Sequence, residues 1–241
     1  MGDPEIPRKN AHSRAQPYGL KLCKAAITND WPAAAAIFHE YPDAIRETIT
    51  CWGETALHLA AGSNSNSHKF VANLLGRDDT ALRTRTTDES GRDNNNALHY
   101  AAKAGNLKAA MVLVKRDRTM TLDYNLAQQT PLHIAAACGR RETFEYLLIK
   151  TENEMAQAAQ PDNWSNPFTE LMGLKLVVSV IEAEFYDLAL KLLKNYPTLA
   201  TQEADEKSAL TALATKLTRF GYGQIRRPRN RMIRLMSKNP G

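Results

Sequence analysis

Thr130-Pro131-Leu132-His133-Ile134-Ala135-Ala136 decides the fold, because the chain repeats it twice more. Thr55-Ala56-Leu57-His58-Leu59-Ala60-Ala61 and Asn96-Ala97-Leu98-His99-Tyr100-Ala101-Ala102 superpose on it almost residue for residue. His99 and His133 are 34 residues apart, while His58 and His99 are 41 apart. A period of about 33 residues marks a stack of small helical units, each too small to bury its apolar face alone. The longer second interval carries extra residues, placed in a turn over Gly62 to Ser67 and a connection over Thr84 to Asn94.

The residue types suit helix pairs. Thr55, Asn96 and Thr130 offer side-chain oxygens that accept the first free N–H groups of a helix, and Pro131 fits its first position. Paired alanines let neighbouring helices approach closely, and Gly105 and Gly139 stand where a left-handed residue ends the helix. Second helices follow, with apolar stripes at Phe70-Val71 and Leu74-Leu75, Ala109-Ala110 and Leu113-Val114, and Thr143-Phe144 and Leu147-Leu148.

The motif resembles that of the ankyrin repeat, and degenerate copies flank the core. Upstream, Leu22-Cys23-Lys24-Ala25-Ala26 places Cys23 in the histidine slot; downstream, Leu176 to Ile181 pairs with Leu188-Ala189 and Leu192-Leu193, and Ser208 to Ala214 makes a last half-match. The expected fold is an all-α ankyrin-repeat solenoid of about six helix-turn-helix repeats. Residues 1–17 are expected to form a disordered lead, residues 18–218 the repeat domain, and residues 219–241 a basic tail or linker.

Composition agrees with a packed helical domain: 43% of residues are hydrophobic, 24% charged and only 7% aromatic. The net charge of +5 is local in origin, since residues 219–241 hold seven Lys and Arg and no acid, leaving the rest slightly acidic. The body therefore shows no general affinity for nucleic acid. Cys23, Cys51 and Cys138 are too few and too scattered for a disulfide framework or a zinc site. The start lacks a signal-peptide core, Ile6 stands where a myristoylation motif needs Ser or Thr, and Leu171 to Ile181 is about half a membrane span. Asn163-Trp164-Ser165 then reads as a chance sequon, and a cytoplasmic setting is expected.

A narrower resemblance rests on Ile181-Glu182-Ala183-Glu184-Phe185-Tyr186-Asp187-Leu188-Ala189-Leu190-Lys191-Leu192-Leu193 with Asn195-Tyr196-Pro197, and on Asn29-Asp30-Trp31-Pro32-Ala33-Ala34. With the repeats between them, these stretches resemble plant ankyrin-repeat proteins of the PGG-domain family, the accelerated-cell-death and salt-tolerance type. The resemblance implies a protein-protein interaction module in plant defence, cell-death or stress signalling. It is either a soluble family member or the cytosolic part of a longer membrane protein.

His58, His99 and His133 recur at one repeat position and are read as structural hydrogen-bonding groups rather than metal ligands, since stacked layers hold them too far apart for one ion. No P-loop, G-x-G-x-x-G, G-x-S-x-G or H-E-x-x-H motif is present, so neither an enzyme nor a cofactor is expected, and no small-molecule substrate. Recognition of another protein is assigned to the concave face and hairpin tips, where the repeat template places Trp52, Glu54, Arg92, Asp93, Asn95, Lys103, Gln128, Gln129 and Cys138. Trp52 reads equally as an interface anchor or as an aromatic packed on the next repeat. Cys138 reads as a small packing residue before a reactive thiol. An alternative reading gives the tail, through Arg226, Arg227, Arg229, Arg231 and Arg234, an anionic lipid, an acidic partner or nucleic acid. The oligomeric state is left open.

Overall fold

A computed structural model describes residues 17–63, 67–86, 94–157, 166–204 and 207–219. The remaining lead, the expected tail beyond Arg219 and the inserted stretches around 64–66 and 87–93 lie outside the described residues.

Helices α1 (Gly19–Thr28) and α2 (Trp31–Glu40) form the first pair, α3 (Ala56–Ala61) and α4 (His68–Arg77) the second, and α5 (Ala97–Ala104) and α6 (Leu107–Arg116) the third. Then come α7 (Pro131–Ala137) with α8 (Arg141–Gln157), α9 (Glu170–Glu182) with α10 (Tyr186–Asn195), and α11 (Ala209–Arg219). The first helices pack in sequence, α1 on α3, α3 on α5, α5 on α7, α7 on α9 and α9 on α11. Among the second helices, α4 packs on α6 and α6 on α8. The result is a two-layer solenoid, with one layer of short inner helices and one of outer helices. Its only strands among the described residues are β1 (Glu203–Ala204) and β2 (Lys207–Ser208), an antiparallel pair in which Glu203 faces Ser208.

Local chemistry sets the reversals. Gly105 and Gly139 adopt φ of 76° and 64°, the left-handed geometry that turns the chain out of α5 and α7. Asn29 does the same after α1 and Glu184 after α9, at φ of 60° and 66°. The outer helices α2 and α6 then start on a side-chain cap, Asp30 Oδ1 accepting from Ala33 N and Asn106 Oδ1 from Ala109 N, both at 3.1 Å. Asn106 also ties repeats together, its Nδ2 donating to Ser63 O and Ser67 Oγ, each at 2.8 Å.

The core is one continuous column between the layers. It runs from Leu22 and Phe38 through Leu57, Phe70, Leu98, Leu113, Leu132 and Phe144 to Val177, Ile181 and Leu192, all buried. Trp31 caps the first layers, edge-on to Phe70 at 5.3 Å, and Phe168 stacks on Tyr196 at 4.7 Å near the other end. The alanine pairs Ala60-Ala61, Ala101-Ala102 and Ala135-Ala136 are fully buried, which is what lets successive inner helices touch.

The sixth unit keeps the local grammar, and among the described residues no further helix pair follows it. Ser208 N donates to Thr211 Oγ1 at 2.7 Å and Thr211 N to Ser208 Oγ at 3.1 Å, reproducing the first-turn reciprocity of the regular repeats with hydroxyls alone. Leu210 occupies the slot of Leu57, Leu98 and Leu132, yet it is 56% exposed where those three are buried. Leu98→Ala is expected to destabilise the protein by about 2–5 kcal/mol, and Leu210→Ala by less than about 0.5 kcal/mol, in chemical denaturation.

Candidate functional site

Three imidazoles bind the repeats to one another. His58 Nε2 lies 3.2 Å from Asn95 O, His99 Nε2 3.1 Å from Gln129 O, and His133 Nε2 3.0 Å from Met172 O. A carbonyl only accepts, so each Nε2 carries the proton and each Nδ1 is left to accept. Nδ1 takes the backbone N–H of the residue three positions earlier, from Thr55 at 3.3 Å, Asn96 at 3.2 Å and Thr130 at 3.3 Å. The hydroxyls of Thr55 and Thr130 add a second donor at 2.9 and 2.8 Å. Asn96 has no hydroxyl; its Oδ1 accepts His99 N at 3.1 Å and lies 2.7 Å from His99 Nδ1, and its Nδ2 donates to Asp123 at 2.7 Å.

Burial pushes all three imidazoles below their usual 6.5, His58 and His133 to about 4 and His99, beside Arg85 and the other two rings, to about 3. Cys23, in the same slot of the first unit, reaches the following hairpin through Sγ, 3.6 Å from Ile49 O. Among the described residues no cluster of three or more His, Cys, Asp and Glu is placed to hold a metal ion.

The hairpins between units project beside the inner helices, and two of them are built alike. In the first, Thr50 Oγ1 accepts Trp52 N at 3.3 Å and Glu54 N at 3.1 Å and donates to Glu54 at 2.9 Å. Ile49 N bonds Glu54 O at 2.7 Å, and Gly53 turns the chain at φ 71°. In the other, Asn125 Oδ1 accepts Gln129 N at 2.9 Å, Asn125 N bonds Gln129 O at 3.0 Å, and Gln128 makes the left-handed turn at φ 56°. Thr50 and Asn125 thus do one job: a side-chain oxygen fixes a tip whose own side chains point to solvent.

The tips present Cys51 and Trp52 on one hairpin and Leu126, Ala127 and Gln128 on the other, all exposed. Trp52 is 62% exposed and Leu126 54%. Glu54 is half-buried and held by Thr50. Asn95 and Gln129 are also half-buried, and their carbonyls are the acceptors of His58 and His99. Lys103 and Cys138 are exposed at the ends of α5 and α7, where Lys103 O accepts Arg140 Nε at 3.0 Å. Arg92 and Asp93 lie outside the described residues, but the base of their connection is pinned. Thr86 N bonds Asn95 O at 2.9 Å, and Arg85 pairs with Asp123 at 2.9 Å while donating to Asn94 O at 3.2 Å.

Leu126 is an exposed tip residue that the repeat template passes over. Its signal is positional: it stands one residue after Asn125, as Cys51 stands one after Thr50.

The stacked helix pairs, the reciprocal first-turn bonds and the hairpin tips converge on one family, and residues 63–158 match the model for ankyrin repeats in three copies. Residues 63–158 hold three ankyrin repeats. The match runs from α4 through α8, and the same helix-pair geometry continues in α1 to α3 and in α9 to α11, which lie outside it. Ankyrin repeats bind other proteins, and that is the coarse function of this module. Among the described residues no helix is long and apolar enough to cross a membrane.

The ankyrin histidines set a pH dependence. An imidazole whose folded pKa lies below its unfolded value takes its proton more readily in the unfolded chain. Their stability contribution is therefore full above about pH 6.5 and is lost as pH falls from there to about 4 for His58 and His133 and to about 3 for His99. Urea midpoints should fall over that window, and NMR should show none of these three rings titrating above about pH 5. His99→Ala, which strands Gln129 O and Asn96 N, should cost about 1–3 kcal/mol at neutral pH.

Proposed function

We propose that the protein recognises an extended, acidic segment of another protein along its hairpin tips and inner helices, and performs no chemistry of its own. The observation that carries the proposal is the exposed indole of Trp52 on a tip whose backbone is already fixed through Thr50. A large apolar ring held in place loses little entropy when a partner covers it, which is why tryptophan dominates binding hot spots.

Charge gives the partner its chemistry. Helices α1, α3, α5 and α7 carry Lys21, Lys24 and Lys103, all exposed, and no acid. Along the same layer Leu59, Tyr100 and Ile134 recur at one repeat position on α3, α5 and α7, each half-buried. An extended segment with acidic and apolar residues matches that layer in both respects.

The resemblance to plant PGG-type ankyrin proteins supports placing this recognition in defence, cell-death or stress signalling on the cytoplasmic side of a membrane. That assignment rests on the Ile181 to Pro197 and Asn29 to Ala34 stretches. Affinity capture from plant cytosol followed by the triple change Trp52→Ala, Lys103→Glu and Leu126→Ala tests the surface. Captured protein should be lost while the melting temperature is kept. Retention of the same captured protein would move the interface elsewhere.

A further inference from the structure

The sixth unit is open on one flank, at positions that are closed in the regular repeats. Leu57, Leu98 and Leu132 are buried on their inner helices, as are Ala61, Ala102 and Ala136 one turn on. Their counterparts on α11, Leu210 and Ala214, are both exposed, Leu210 by 56%. The outer layer breaks at the same end. Leu75, Val114 and Leu148 close the apolar stripes of α4, α6 and α8 and are at most 2% exposed, whereas Leu193, in that place on α10, is only half-buried, like Leu190 before it.

The two breaks are neighbours. Helices α10 and α11 both pack on α9, and Lys216 Nζ near the end of α11 pairs at 3.1 Å with Glu184 Oε1, just before α10 begins. Leu210 and Ala214 share one face of α11. An apolar groove therefore runs along α10 and α11, in the place that α6 fills beside α4 and α5.

The chain itself delivers an occupant. Helix α11 ends at Arg219, so the residues that follow leave from beside the start of α10, where the outer helix of a sixth unit has to begin. Residues 220–241 lie outside the described residues, but their sequence holds the required stripe. Met232-Ile233 with Met236 repeats the spacing of Phe70-Val71 with Leu74, Ala109-Ala110 with Leu113, and Leu188-Ala189 with Leu192. Set on α6 in that register, Arg231 and Arg234 take the exposed places of Lys108 and Met111, and Leu235 takes the half-buried place of Val112. Only Ser237 departs, standing where Val114 does. Residues 220–228, with Gly221, Gly223 and Pro228, are ample for a reversal that residues 138–140 achieve between α7 and α8.

We infer that the segment from Arg229 to Ser237 docks in this groove as the outer helix of the sixth unit. Met232, Ile233 and Met236 cover Leu210, Ala214 and Leu193, and the arginines stay in water. The contact is local: denaturant releases so short a segment before the repeats unfold, so Leu210→Ala leaves the main unfolding transition in place and the docking is read under native conditions.

Native-state hydrogen exchange on the full chain tests the inference. Amides of residues 231–237 should exchange at least tenfold more slowly than in an unstructured chain. Leu210→Arg with Ala214→Arg, both at exposed sites, should remove that protection and leave α3 to α8 unchanged. Met232→Ser, Ile233→Ser and Met236→Ser together should also remove it and speed exchange in α11; this variant serves alone if the arginine pair lowers the helical circular dichroism. Residues 231–237 unprotected in the wild type, protection that survives in a folded variant, or α11 unaffected by the triple serine change overturns the inference. Protection that fades on dilution while the sedimenting mass falls to 26.8 kDa overturns it too, by making the occupant a second copy.

Discussion

The three regular repeats depend on a neutral imidazole with its proton on the far nitrogen. Nδ1 closes the first turn of its own helix by accepting the backbone N–H of Thr55, Asn96 or Thr130, and Nε2 donates into the next unit at Asn95, Gln129 or Met172. One ring thus satisfies a local orphan donor and a distant buried carbonyl at the same time. A charged imidazole would have no lone pair for the cap, and the opposite tautomer would set a lone pair against the carbonyl. Burial enforces the required state by disfavouring the cation, so the same desolvation that encloses the ring keeps its hydrogen-bond polarity fixed.

This arrangement separates stacking from recognition. The leucine, alanine and histidine positions are buried and engaged with neighbours, whereas the tip residues after Thr50 and Asn125 are held only through their backbone. Any side chain can then occupy position 52 or 126 with little effect on the core, and a tryptophan or leucine placed there faces water at a hydration cost that the fold does not require. Extra residues between His58 and His99 follow the same logic. The Thr86–Asn95 and Arg85–Asp123 contacts close the base of that connection, so the inner helices on either side keep their contact whatever the length between.

The fold was legible because its signals are local and repeated. Thr-x-x-His, with Asn96 in place of Thr once, marks both a helix start and a link to the next unit, and the pairs Leu74-Leu75, Leu113-Val114 and Leu147-Leu148 beyond the alanines mark the outer helices. The degenerate units were legible more faintly: Cys23 keeps the outward reach of a histidine, and Ser208 with Thr211 keeps the cap. What periodicity could not show is how deeply a polar tip residue sits. Glu54, Asn95 and Gln129 look available in the sequence, yet each is partly buried and engaged, because the hairpin uses the residue before the helix as a strand partner or an acceptor. Leu126 escaped notice for the converse reason, since an apolar residue is expected inward until the turn geometry at Asn125 points it out.

Partner identity is written in a weaker code than the fold. Stacking imposes the same residue at the same depth in every unit, so its pattern survives repetition and can be counted; the exposed faces carry no such requirement and differ from one unit to the next. The outer position held by Lys108 on α6 is Glu142 on α8, and the one held by Met111 is Glu145, although the buried positions beside them keep their apolar character. A surface whose sign reverses between adjacent units costs the solenoid nothing in packing, and it makes the face directional. Specificity in such a module therefore arises from the differences between repeats, while stability arises from their sameness.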